Sequence, residues 1–215
     1  MDVFEVIDKR RTIRVFKQAA SEEQVRKLLV AGAKAPSGSN VQPWEFIIID
    51  DPAIIEQIAD HKYQQTLKMA IDEVVLKNPE VLEQIYRQNL QQPFSPQPAN
   101  RQKGAYQNCA VVAVCNRKWH GSGRKTWMNI ENIASVWMCI ENMALAAAAD
   151  GLGMQISIFR EEHKAAVEKL LCLPDDCELA TMVLFGVAEA YPEAREFGKA
   201  RDDFRWLHRN KFGVS

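Results

Sequence analysis

Apolar positions along the chain change period several times, and each change marks an element. Val3, Phe4, Val6 and Ile7 fall on one side of a helix, which predicts a short helix over Val3–Arg11. Ser21-Glu22-Glu23-Gln24 has the form of a capping box. The hydroxyl takes the free amide three residues on and Gln24 reaches back, so a second helix starts there. Val25, Leu28, Leu29 and Gly32 continue it as a stripe until Pro36-Ser37-Gly38-Ser39-Asn40 ends it as a loop. The unbroken apolar, β-branched run Trp44–Ile49 reads as a buried strand, and Asp51-Pro52 restarts a helix with Asp as N-cap and Pro at the first helical position. Residues 61–107 change character: polar, Gln-rich, helical in part, with Pro93, Pro96 and Pro98 near the end. They are expected to form a helical insertion or lid that shapes a substrate site. Ala110–Cys115 is a second strand. Asn132–Ala149 is a helix with Ile133, Val136, Trp137, Ile140, Met143, Ala144 and Ala147 on a wide apolar face and Gly151 as its left-handed cap. A strand over Met154–Phe159, a helix over Glu161–Leu171 and a strand over Ala180–Val187 follow; residues 189–215 form a charged, aromatic C-terminal extension. Helices and strands mix without strict βαβ alternation, which argues for an α+β sandwich in one domain, 1–215.

Composition narrows the class. With 47% apolar residues a core forms without disulfide staples. Acids (28) nearly match bases (27), giving net charge −1, which argues against a general nucleic-acid partner. The charged start lacks a signal-peptide core and the longest apolar runs fall short of the ~20 residues that span a bilayer, so a cytoplasmic protein with no membrane association is expected. Five cysteines without a CxxC pair, and four scattered histidines without HExxH spacing, give no reason to expect a metal. No GxGxxG follows a strand, and no phosphate-binding P-loop is present.

Four segments carry candidate chemistry. Arg10-Arg11-Thr12-Ile13-Arg14 gathers three guanidiniums and a hydroxyl at a helix end. Arg forks match phosphate oxygens, although a solvated basic helix end favoured by the helix dipole has the same composition. In Ala35-Pro36-Ser37-Gly38-Ser39-Asn40, a glycine lets backbone approach a flat ligand, and Asn40 offers donor and acceptor to a uracil-like edge; an ordinary loop reads the same way. Gly151-Leu152-Gly153-Met154-Gln155-Ile156-Ser157 leads into a strand with one hydroxyl, or is a helix cap and core strand. Lys199 and Arg201 share a side if extended, or are solvated charges.

Taken together, RRTIR, APSGSNVQPWEFIII, SVWMCIENMALAAAADGLG and a late KxR resemble the FMN-dependent nitroreductase family. The APSGxNxQPW form is similar to the branch with iodotyrosine dehalogenases and the flavin-consuming synthases of the vitamin B12 lower ligand. The resemblance implies an α/β/α sandwich with a mainly antiparallel central sheet, in an obligate homodimer with an apolar interface along Asn132–Ala149. It implies FMN as cofactor, with Arg10, Arg11 and Thr12 at phosphate and ribityl chain and Arg14 near the pyrimidine end. Pro36, Ser37, Gly38 and Asn40 would lie along the ring from the partner subunit. Ile156 and Ser157 would face flavin N5, and Lys199 and Arg201 the phosphate. That phosphate carries nearly two negative charges, and each charge-assisted hydrogen bond contributes ~1.5–3 kcal/mol. The implied reaction is ping-pong: NAD(P)H gives hydride to N5, then a small electron acceptor such as a nitroaromatic or quinone is reduced on the same face. Arg14 and Ser157 are candidates for tuning the flavin, and no side-chain acid or nucleophile is evident. Reductive dehalogenation, other flavin chemistry and non-enzymatic FMN binding are the alternatives.

Overall fold

The computed structural model describes residues 2–77, 97–118 and 125–192. In chain order the elements are α1 (Val3–Lys9), β1 (Phe16–Ala19), α2 (Glu22–Gly32), β2 (Trp44–Ile49), α3 (Pro52–Lys77), α4 (Gln97–Gly104), β3 (Ala110–Arg117), α5 (Lys125–Ala149), β4 (Gly153–Ser157), α6 (Glu161–Leu170) and β5 (Cys177–Ala188).

Local chemistry fixes the boundaries. The expected capping box holds at α2, where Ser21 Oγ accepts from Gln24 N and Gln24 Oε1 from Ser21 N. A second box, Asp2 with Glu5, starts α1. Asp51 Oδ1 accepts from Ala53 N at the start of α3, as its place before Pro52 requires. α5 ends in a Schellman motif: Gly151 at φ 72° donates to Ala148 O, and Leu152 donates to Ala147 O at 2.8 Å.

The sheet runs β1-β5-β3-β2, with β4 on the other edge of β5, and its ladders are antiparallel. β3 and β5 are buried on both faces, which is why they read as unbroken apolar runs. Val111, Ala113 and Cys115 point into one core with Ile58, Tyr106 and Val167 of the α3, α4 and α6 layer. Val112 and Val114 point into the other with Val25, Leu28, Val136, Ile140 and Met143 of α2 and α5. The result is the expected α+β sandwich of two helical layers on an antiparallel sheet. α2 lies antiparallel on α5 and comes close enough that a side chain at Gly32 would meet Met143 Cγ at 2.6 Å.

Several elements differ from the sequence expectation, among them β5, which begins at Cys177 and not at Ala180. β1 was not foreseen. Of the helical insertion expected over 61–107, residues 61–77 continue α3 and Gln97–Gly104 form α4, while residues 78–96 lie outside the described residues. α5 starts at Lys125, and its segment Met128–Ala149 has the length and apolar character of a membrane span, contrary to the expectation that no segment does. Its inner residues Val136, Cys139, Met143 and Ala147 are fully buried against the sheet and α2, so that apolarity serves the core.

Candidate functional site

The first and third segments meet. After α1 the chain passes along the outer edge of β4: Thr12 bridges Met154 in parallel register, and Ile13 N donates to Met154 O at 3.0 Å. The approach needs Gly153. A Cβ there would lie 2.6, 2.8 and 2.9 Å from the Cγ1, Cβ and Cγ2 atoms of Ile13. The cationic segment is thus seated on the strand by backbone contact.

Backbone polar groups of a strand alternate between its two edges. The Met154 carbonyl points outward, so the groups of Ile156 and Ile158 point outward as well, and those of Gly153, Gln155 and Ser157 point toward β5. Met154 is occupied by Ile13. The Ile158 carbonyl accepts from Lys62 Nζ at 2.9 Å and Gln65 Nε2 at 3.1 Å, both from α3. Ile156 lies between these attachments and has no strand partner on that edge among the described residues. Its N–H and C=O form an open edge of the kind that takes a complementary backbone or planar amide.

Around it, Arg10 is half-buried, with Nε 3.5 Å from Glu141 Oε1 on α5. Arg11 caps the end of α1: its Nη1 donates to the carbonyls of Asp8 and Arg10. Thr12 is exposed and Arg14 half-buried. Lys199 and Arg201 lie outside the described residues.

Ser157 differs from expectation. Its side chain is 1% exposed and turned into the core, where Oγ accepts from the Tyr106 hydroxyl at 2.8 Å. Burial pushes the Tyr106 phenol well above its usual range, so it stays a neutral donor. The side chains at the surface are Ile156 and Ile158, 37% and 39% exposed. The strand therefore offers backbone and apolar surface, not a hydroxyl.

The second segment lies elsewhere in the same chain. Residues 36–42 form a tight loop with a 3₁₀ turn at Gly38–Asn40. Ser39, Asn40 and Gln42 sit at φ 50°, 56° and 50°, a region L-residues avoid and Asn tolerates best. Ser37 Oγ accepts from Gln42 N, and Gln42 Nε2 donates to Asn40 Oδ1, which holds the strained turn. A Cβ on Gly38 would lie 3.1 Å from Glu131 Oε2, near the start of α5, whereas Arg10 pairs with Glu141 ten residues on. Along a helix that separation is roughly 15 Å. Within one chain the loop and Arg10 therefore lie against different turns of α5.

The donors and acceptors fit a flavin phosphate. Cationic and hydroxyl groups flank an open amide edge beside apolar surface. Gln155, 2% exposed, shares the inner face of β4 with Ser157, where it donates Nε2 to Gln102 Oε1. Among the described residues there is no cluster of three metal-ligating side chains. Sequence reasoning missed Lys62, Gln65, Tyr106 and Gln155. The signal for the first two was present: Ile55, Ile58, Lys62 and Gln65 follow one helical stripe, so polar groups stand where the period demands burial.

Known proteins resemble this arrangement. The model of the Nitroreductase family matches residues 7–187. A protein of Archaeoglobus fulgidus that carries the name NADH dehydrogenase/NAD(P)H nitroreductase is 25% identical over 98% of this chain and 99% of its own length. An iodotyrosine deiodinase of Thermotoga neapolitana is 40% identical over 26% of this chain and 31% of its own. A Desulfovibrio desulfuricans protein crystallised in complex with FMN, under the name of a nitroreductase, superposes with TM-score 0.66 at 21% identity, covering 99% of this chain and 98% of the other.

Proposed function

This chain belongs to the nitroreductase family, and on that premise we propose that it is a cytoplasmic, homodimeric FMN oxidoreductase carrying electrons from NAD(P)H to a small electron-poor acceptor such as a nitroaromatic or quinone. The observation that carries the reading is the seating of Arg10–Arg14 against β4 beside the open edge at Ile156. In this reading Arg10, Arg11 and Thr12, joined by Lys199 and Arg201, hold the phosphate. Arg14 stands toward the pyrimidine end, where a cation favours negative charge on the reduced ring. Backbone at Ile156 orients the ring, and Ile156 and Ile158 exclude water from it. FMN, when bound, accepts hydride from the nicotinamide and passes electrons to the acceptor.

Exposed apolar surface supports the dimer in this reading. Ile130, Ile133 and Met138 on the outward side of α5 are 64%, 38% and 41% exposed, and Val3, Phe4 and Ile7 of α1 are 59%, 75% and 51% exposed. α1 packs on α5, and both helices leave apolar side chains uncovered within one chain. A two-fold axis through that surface, with α5 crossing its copy midway between Glu131 and Glu141, sets the Gly38 loop of one chain beside Arg10 of the other. The strained loop then completes the site of the other chain. Gln102 and Tyr106 meet β4 at Gln155 and Ser157, and Lys62 and Gln65 meet Ile158 just past it; residues 61–107 are assigned to acceptor selection.

The test is anaerobic titration of yellow, FMN-containing protein with NADH and NADPH. Bleaching of the flavin by either nicotinamide within seconds is the expected result. The deiodinase match favours a second reading at the same site, reductive dehalogenation. Protein bleached by dithionite and by neither nicotinamide, then reoxidised by a halophenol, would support it over the first.

A further inference from the structure

α3 crosses under the exit of β4 and makes three polar contacts with it. Lys62 and Gln65, 9% and 5% exposed, both donate to Ile158 O, and Gln65 Oε1 accepts from Arg160 N at 2.7 Å. Lys62 Nζ also sits 5.6 Å from the centre of the Phe159 ring. Packing alone does not call for this. Leucine at position 62 would cover Phe159 without desolvating an ammonium, and Gln65 already satisfies the carbonyl. Among the described residues Lys62 has no salt-bridged carboxylate. What the lysine adds is positive charge on the Ile158 peptide, two residues from the open edge at Ile156.

We infer that Lys62 and Gln65 are positioning residues for the redox site: they fix the backbone at Ile158–Arg160 and polarise the Ile158 peptide, and so set the pose and the potential of a ring bound along β4. The inference rests on the FMN reading above. A cation buried behind the strand on which the ring lies favours the ring's reduced, more negative form. The Gln65 contact to Arg160 stops the strand exit from sliding as the ring changes charge. α3 thereby couples the segment assigned to acceptor choice with the electronics of the cofactor.

The experiment measures the two-electron midpoint potential of bound FMN, and FMN affinity by fluorescence quenching, in the intact protein and in Lys62→Met and Lys62→Arg. Lys62→Met is expected to favour oxidised over reduced flavin at least tenfold more than the original chain, a fall of about 30 mV for a two-electron couple. Lys62→Arg is expected to restore most of it. Should Lys62→Met fail to fold, Lys62→Gln keeps a donor at the carbonyl, removes the charge and carries the same expectation. A folded, charge-free variant with unchanged potential would overturn the inference, whatever its thermal stability. An intact protein that takes up no FMN would instead overturn the functional reading on which the inference stands.

Discussion

Gly153→Ala tests the seating of the cationic segment. The glycine has no left-handed φ, so alanine fits its backbone. By itself the change would stabilise the folded chain by about 0.4–1 kcal/mol through the unfolded state. Against this, the new methyl would lie 2.6–2.9 Å from three atoms of Ile13. One of those is Ile13 Cβ, which cannot swing away, so the main chain at 12–14 must move off Met154. Overpacking of this kind costs about 1–3 kcal/mol. The clash outweighs the entropy gain at mid-range values, with net destabilisation of about 1.3 kcal/mol, or roughly 3–5 °C in Tm for a chain of this size. FMN affinity should fall at least tenfold as Arg10–Thr12 shifts. Urea unfolding and flavin fluorescence measure the two effects. Ile13→Ala, which removes Cγ1 and Cγ2 and leaves only Cβ of the three clashing atoms, should cost less in the Gly153→Ala background than in the original chain, giving a favourable coupling in the double-mutant cycle. A Gly153→Ala protein as stable as the original, binding FMN equally well and uncoupled from Ile13, would refute the seating.

Other outcomes follow from named contacts. Arg10→Ala and Arg201→Ala should each lower the FMN content of purified protein, since phosphate charge is left under-compensated; full flavin content in both would remove the phosphate assignment. Tyr106→Phe should cost about 1–3 kcal/mol in denaturant, because Ser157 Oγ loses its buried partner, while nicotinamide bleaching persists. Burial, with Arg160 next in effect, lowers the Lys62 pKa from 10.5 to about 8. Arg160 beyond β4 is the charged group that acts on Lys62, whose Nζ donates to the Ile158 carbonyl. Between pH 8 and 10.5 the unfolded chain binds this proton more strongly, so the contribution of Lys62 to stability rises with pH by up to about 3 kcal/mol and is lost as pH falls through 8. Lys62→Met lacks that rise; equal slopes of stability against pH in the two proteins across this window would contradict it.

The layers of the fold were legible because their signals are local. β2 coincides with the expected Trp44–Ile49, and the Ser21 box and Gly151 cap stand where residue chemistry put them. β1 was not legible: only Phe16 of Phe16–Ala19 is buried, and the strand exists because β5 extends past β3 to pair with it. The parity of β4 could be read as alternation. Which parity faces the core could not, so Ser157 was expected toward the ligand and lies instead against Tyr106. The apolar side of α1 was legible, yet only Val6 is buried within one chain. Sequence periodicity reports that a face wants cover, not whether a helix of the same chain or of another supplies it.

The central claim is a site divided between two chains, and mixed dimers test it directly. Arg10→Ala damages the cationic half and Gly38→Trp the loop half, so each homodimer should lose FMN. Co-expressed with different tags and purified through both, the mixed dimer keeps one undamaged site and should bind one FMN per dimer. A mixed dimer as empty as its parents, or a monomer by light scattering that holds a full flavin complement, would contradict the account.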